Sequence, residues 1–206
     1  AASDVYKRQV VLPLDHTGSI DLQQAARLIG PRTRLLAVSQ LSNVLGRWQP
    51  LAELLALARA QGAFSVVDGA QGAVHGRHDL QALGCDFYVC SSHKLYGPDG
   101  VGLLYGRREA LGKLQHWQFG GEMVLDADYQ SARFRPAPLG FEAGTPAVSA
   151  VIALGAALDW LNGLDHTAVA HHETALHAEL LAGLQSRNGV RPVSYTHLTL
   201  PTTPYV

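Results

Sequence analysis

The sequence predicts an α/β domain built on a mainly parallel sheet, on three observations. Short apolar runs alternate with longer amphipathic ones. The amphipathic runs carry helix start and stop signals. Polar residues collect just after the apolar runs, where open α/β sheets present their ligand-binding groups. Residues 22–29 read as a helix, with Leu22, Ala25, Ala26, Leu28 and Ile29 apolar and Gly30-Pro31 as the stop. Residues 34–40 read as a buried strand. Pro50 opens a helix over residues 50–61, with Leu51, Leu54, Leu55, Leu57 and Ala58 on a broad apolar face and Gly62 at the C′ position. Strands follow at residues 63–67, 87–90 and, after a Gly-Pro turn, 101–105; a helix is expected at 107–114. Across residues 115–144 the periodicity fails, with glycines at 120, 121, 140 and 144, which predicts a long functional loop. Two long helices, 147–161 and 166–187, complete the pattern.

Composition narrows the function classes. With 206 residues, 47% hydrophobic and 16% charged, the chain is expected to be a soluble globular protein of one or two domains. Sixteen basic against seventeen acidic residues, with no cluster of like charge, leave no basic excess for a nucleic-acid backbone. The most apolar stretch, residues 147–161, is interrupted by Ser149, Gly155 and Asp159 and is shorter than the ~20 residues a membrane span needs, so no membrane is expected as a partner. Cys85 and Cys90 lie five positions apart in a strand-like run, which points them to opposite faces and keeps them from bonding each other. Two reduced thiols fit a cytoplasmic location. Residues 1–9 and 193–206 carry no periodic apolar pattern and resemble translated sequencing-adapter sequence, so they are expected to be non-native tails. Between them, residues 10–146 form part of the expected large domain and 147–192 the long helices leading towards a small domain.

Three polar groups follow three strands: Asn43 in SNVLG, Asp68 and Gln71 in DGAQ, and Ser91, Ser92, His93 and Lys94 in SSHKLYGPDG. A parallel sheet would bring all three to one rim. Each residue alone has an ordinary explanation: Asp68 as a turn residue, Lys94 as a solvated cation, His93 as a surface side chain. Their combination is the equipment for pyridoxal phosphate. That cofactor needs an amine for its Schiff base, a carboxylate to keep the pyridine nitrogen protonated, and hydroxyl and amide donors for its phosphate.

Two other patterns carry less. His166, His171, His172 and His177 include a pair five apart, the wrong spacing for one helix face, so a metal site is not expected. Gly100 and Gly102 in GPDGVG precede a strand rather than open a helix, which removes the warrant for a nucleotide loop.

The stretches VDGAQGAVH, CDFYVCSSHKLYGPDGVGLLYG and FEAGTP resemble those of the group II cysteine desulfurases, within the class-V aminotransferase superfamily, over about residues 12–187. The resemblance implies the large domain of the pyridoxal-phosphate fold type I, a three-layer architecture truncated here at both ends. It further implies that Lys94 is the Schiff-base lysine, Asp68 the partner of the pyridine nitrogen and Gln71 the amide beside the ring hydroxyl. Ser91 and His93 match phosphate contacts, and Asn43 the side chain near the substrate carboxylate and the ring. Thr145 resembles the residue that reaches the phosphate in the partner subunit, which implies a homodimer. Departures are Ser92, where the family has glycine, and Ala147, where asparagine is common.

The same resemblance implies the reaction. L-Cysteine displaces Lys94 from the cofactor, Lys94 removes the Cα proton, and a protein cysteine takes the sulfur as a persulfide, leaving L-alanine and feeding a sulfur-acceptor protein, as in iron-sulfur cluster assembly. In the family that cysteine and a carboxylate-binding arginine lie downstream of residue 192, and a ring-stacking histidine lies upstream of residue 10. Selenocysteine lyase, kynureninase-like and epimerase relatives share the lysine and aspartate. A non-catalytic dimerising relative would be signalled by loss of Lys94 or Asp68, and both are present.

Overall fold

A computed structural model describes residues 8–189. The terminal segments read as tails therefore fall almost wholly outside the described residues, as do residues 190–192. Helix α1 (Leu22–Leu28) begins where the Asp21 carboxylate accepts from the backbone N–H groups of Gln23 and Gln24, the usual satisfaction of a helix's first donors. Strand β1 (Leu35–Ser39) buries alternate residues, Leu36 and Val38. In helix α2 (Leu51–Ala60) the buried residues Leu51, Leu54, Leu55 and Ala58 recur at three- and one-residue steps, a single stripe. Gly62 sits just past its end at φ +66°, a left-handed conformation that glycine adopts without cost.

Strand β2 (Phe64–Asp68), a one-turn helix α3 (Leu80–Leu83) capped by Asp79, and strand β3 (Phe87–Ser91) follow. Strand β4 (Gly102–Gly106) completes a four-stranded sheet in the order β1-β2-β3-β4. The first three strands run parallel, and β4 is antiparallel to β3 because the chain reverses through the Gly97–Gly100 turn. The expected mainly parallel α/β sheet is thus present. Its core joins α1 and α2 to Leu36, Val38, Val67, Cys85 and Tyr88. At roughly 25 cal/mol per Å² of apolar surface removed from water, each buried leucine of α2 contributes about 1.5–3 kcal/mol. At the lower end of the sheet the Asp86 carboxylate accepts from both the backbone N–H (2.8 Å) and the hydroxyl (2.9 Å) of Ser65, which bolts β2 to the start of β3.

Two expectations are corrected. The helix expected over residues 107–114 is only α4 (Arg108–Leu111), because beyond it Lys113 and Leu114 donate to carbonyls three residues back. The region 115–144 is not one loop. It contains an antiparallel hairpin, β5 (Val124–Ala127) and β6 (Ala132–Phe134), turned by the Asp128 carboxylate accepting from the N–H groups of Gln130 and Ser131. Most of its residues are exposed, so no apolar alternation announces it.

Helix α5 (Val148–Asn162) leans on the turn that follows β3: the Trp160 ring meets Tyr96 edge-on, with centroids 5.2 Å apart. The guanidinium of Arg77 donates to the carbonyl of Asn162. Helix α6 (His166–Gln185), capped by Asp165, buries none of its residues; its contacts include Nε2 of His166 at 3.1 Å from the Leu161 carbonyl and Glu173 at 3.3 Å from Nδ1 of His75. Among the described residues no single helix is long and apolar enough to cross a membrane.

Candidate functional site

Because β1, β2 and β3 are parallel, their carboxyl ends share one rim. Asp68 closes β2 in register with Ser39 of β1 and Val89 of β3. Its backbone is tied on both sides: the Asp68 carbonyl accepts from the N–H of Gln40 at 2.8 Å, and the next N–H, of Gly69, donates to Val89 at 2.8 Å. The Asp68 carboxylate is exposed at the rim and takes one local bond, from the Ala70 N–H at 2.9 Å. Gln71, half-buried, follows in the same turn.

One strand away, Ser91 ends β3 and a single turn of 3₁₀ helix (Ser92–Leu95) carries His93 and Lys94. Lys94 is half-buried and forms no ion pair among the described residues, while His93 is exposed with Nδ1 3.9 Å from an Asp99 oxygen. The turn stops at Tyr96, which takes a left-handed φ of +60°. Neighbouring strands lie about 4.8 Å apart. The structure therefore brings Asp68, Gln71, Ser91, His93 and Lys94 to adjacent strand ends. Asn43 is exposed in the Ser42–Arg47 turn after β1, on the same rim. Thr145 stands apart, exposed in the segment leading into α5, with no hydrogen bond to the rim residues among the described residues.

A second group was not anticipated. Gln40, only 5% exposed, sits one residue past β1, and its Oε1 accepts from the Tyr88 hydroxyl at 2.6 Å. Its Nε2 lies 3.3 Å from Nδ1 of His78, and the other ring nitrogen of His78 lies 2.9 Å from the Gly72 carbonyl. A carbonyl only accepts, so Nε2 of His78 carries the proton and Nδ1 receives the Gln40 amide. Burial pushes the Tyr88 phenol far above its ordinary range, so the hydroxyl remains a donor. The one visible signal was a glutamine closing an apolar strand.

Both departures from the family pattern have a structural account or lie in plain view. Ser92 is 1% exposed and its hydroxyl has no hydrogen-bond partner among the described residues; it fits because residue 97 is glycine, where a Cβ would occupy the same space. Ala147 flanks α5 without a side-chain cap. Cys85 and Cys90 are both free, and burial raises both thiols above their ordinary range. Cys85 is fully buried just before β3 rather than within it, and Cys90 is half-buried in the strand.

The donor set suits pyridoxal phosphate. A carboxylate, a half-buried amine, an amide, a hydroxyl and an imidazole stand at the ends of two adjacent strands. The loop between them is closed by Gly69 and Gly72, both packed too tightly to admit a side chain.

The chain spans about 45% of the length of the curated relatives it matches. It is 72% identical over 182 residues to a probable cysteine desulfurase of Pseudomonas putida, covering 88% of this chain and 45% of that one. It is 47% identical over 177 residues to a cysteine desulfurase of Klebsiella pneumoniae, covering 85% and 44%. Among solved structures, the cysteine desulfurase CsdA (S-sulfonic acid) from Escherichia coli superposes with a TM-score of 0.84 at 40% identity, over 90% of this chain and 48% of that one. Residues 4–203 match the pattern of a family whose members depend on pyridoxal phosphate. With this sheet, this rim and these motifs, the chain belongs to the aminotransferase class-V family.

Proposed function

We propose that the chain is part of a longer cysteine desulfurase, a pyridoxal-phosphate enzyme that converts L-cysteine to L-alanine and holds the released sulfur as a persulfide for a sulfur-acceptor protein. The observation that carries this reading is the placement of Asp68 and Lys94 at the ends of neighbouring parallel strands, within motifs shared with desulfurases. When bound, pyridoxal phosphate supplies an electron sink for the carbanion chemistry of an amino acid.

Each residue has a task in this reading. Asp68, a carboxylate at the rim, holds a proton on the ring nitrogen, and Gln71 offers its amide beside the ring hydroxyl. Ser91 and His93 face the phosphate as hydroxyl and imidazole. Lys94 would hold the cofactor through its amine and would serve as the base that takes the proton from Cα of L-cysteine. Asn43 orients the substrate carboxylate. Thr145, exposed before α5, suits contact with a second subunit's phosphate in a homodimer.

Neither Cys85 nor Cys90 is equipped to receive the sulfur. That step needs a thiolate on an accessible, mobile segment, and burial favours the inert thiol at both positions. The persulfide-forming cysteine of this reading is therefore neither of these two, the family resemblance assigns the substrate-binding arginine and the ring-stacking histidine to further parts of the longer protein, and two reduced thiols fit a cytoplasmic location.

The test uses the full-length protein. The wild type, with pyridoxal phosphate and L-cysteine, should yield alanine and protein persulfide together. Lys94→Ala should abolish both products and the visible absorption band of lysine-bound cofactor. A normal band in that variant would assign the lysine elsewhere.

A further inference from the structure

We propose that Gln40, Tyr88 and His78 are positioning residues: a hydrogen-bonded platform, buried at Gln40 and Tyr88 and half-buried at His78, that sets the height of the Asp68–Gly72 loop, and through it the aim of the Asp68 carboxylate and the Gln71 amide at the cofactor ring. This inference rests on the proposed pyridoxal-phosphate site and deepens it.

Three observations carry it. First, the bonds run in one direction without a gap: the Tyr88 hydroxyl donates to Gln40 Oε1, Gln40 Nε2 donates to His78 Nδ1, and His78 Nε2 donates to the carbonyl of Gly72. No member is left unpaired, which is the condition under which a buried polar network rigidifies its surroundings. Second, the loop backbone lies directly on the platform at both of its glycines. A Cβ on Gly69 would collide with the Tyr88 ring, and one on Gly72 would collide with the Gln40 amide. Asp68 and Gln71 each neighbour one of these two contact points.

Third, Gln40 joins all three parallel strands. Its backbone N–H donates to the Asp68 carbonyl at the end of β2, its carbonyl accepts from Gln49 at 2.9 Å, and its side chain bonds Tyr88 of β3. The Gln49 bond closes the turn that carries Asn43, and the Trp48 ring rests on His78 with centroids 5.7 Å apart. A displacement of Gln40 would therefore move the turn of Asn43 and the loop of Asp68 together. Cofactor sites demand placement within about 0.5 Å, so a loop seated on rigid, satisfied groups holds a geometry that a loop on water would not.

The experiment compares full-length wild type, Tyr88→Phe, His78→Phe and Leu51→Ala. Tyr88→Phe keeps the ring under Gly69 and removes only the hydroxyl. His78→Phe keeps a ring beside Trp48 and removes both bonds. Leu51→Ala loosens the α2 core as a stability control. Three quantities are measured: thermal midpoint, the dissociation constant for pyridoxal phosphate added to apoprotein, and the circular dichroism of the bound cofactor's visible band.

The expected result is a roughly tenfold weaker dissociation constant and an altered cofactor dichroism in both platform variants, the scale of one lost bond to a buried partner. Leu51→Ala should lose thermal stability with neither cofactor readout changed. Wild-type affinity and dichroism in both platform variants, whatever their thermal midpoints, would overturn the inference. So would an equal change in Leu51→Ala, since the effect would then follow stability alone. A wild-type protein that binds no pyridoxal phosphate would instead overturn the proposed function.

Discussion

A side chain on Gly97 would collide with the hydroxyl of Ser92, a group that is itself buried without a hydrogen-bond partner among the described residues. The two residues open and close the turn that carries Lys94, so each is legible only through the other. Leu154 of α5 crowds the same spot, with its Cδ1 3.1 Å from where the added carbon would stand.

Gly97→Ala is therefore expected to cost about 1–3 kcal/mol through overpacking. Ser92→Ala should stabilise by about 1 kcal/mol, since it removes an unsatisfied buried hydroxyl while keeping the Cβ. Ser92→Gly should recover part of the Gly97→Ala loss, a non-additivity expected of residues in contact. Urea unfolding of the four variants checks this; strictly additive values would refute the shared space.

Asp68→Asn should separate chemistry from folding. The carboxylate is exposed and makes one local bond, which an amide oxygen can keep, so thermal stability should shift by less than about 0.5 kcal/mol. Turnover should fall about 10²- to 10³-fold, the scale for losing one electrostatic group at a reacting centre. Alanine production and a melting curve on the same sample decide it.

Asp86→Ala should be among the costlier changes outside the core, at about 2 kcal/mol, because it strands the buried Ser65 N–H and hydroxyl. Asp86→Asn, which keeps one acceptor oxygen, should cost less than half as much. Equal losses in the two variants would show that charge rather than hydrogen bonding holds β2 to β3.

Stability should fall in alkali. Burial raises Cys85, Cys90 and Tyr88 above their ordinary values of 9.0, 9.0 and 10.0 in the folded protein. Above pH 9 the unfolded chain thus binds fewer protons than the folded one, and folding stability declines as pH rises. The cysteine contributions are fully present below pH 9 and that of Tyr88 below pH 10, and each is lost as pH rises through its raised folded value. Urea midpoints at pH 8 and pH 10.5 should differ, and Tyr88→Phe should narrow the difference.

Cys85→Ala and Cys90→Ala should each be tolerated with packing costs of about 1 kcal/mol and near-normal persulfide formation by the full-length enzyme. Both thiols should react more slowly with iodoacetamide than free cysteine at pH 8. Loss of persulfide in Cys90→Ala would place the sulfur acceptor in the sheet after all.

What the sequence determined by itself was whatever depends on neighbours along the chain. The stripe Leu51-Leu54-Leu55-Ala58, the helix signals at Pro50 and Gly62, and the apolar runs of β1 to β4 follow from local periodicity and local backbone preference. So does the placement of Asp68 and Lys94 at strand ends, because a strand that ends in polar residues delivers them to the rim wherever the strand lies in the sheet. Tertiary structure alone decided the rest. The β5–β6 hairpin is mostly exposed, so its residues carry no burial pattern to read. His78 and Tyr88 lie 38 and 48 positions from Gln40, and no spacing rule joins the three. They meet only because β1 and β3 flank β2 in parallel, which buries Gln40 and Tyr88 together and sets the half-buried His78 against them.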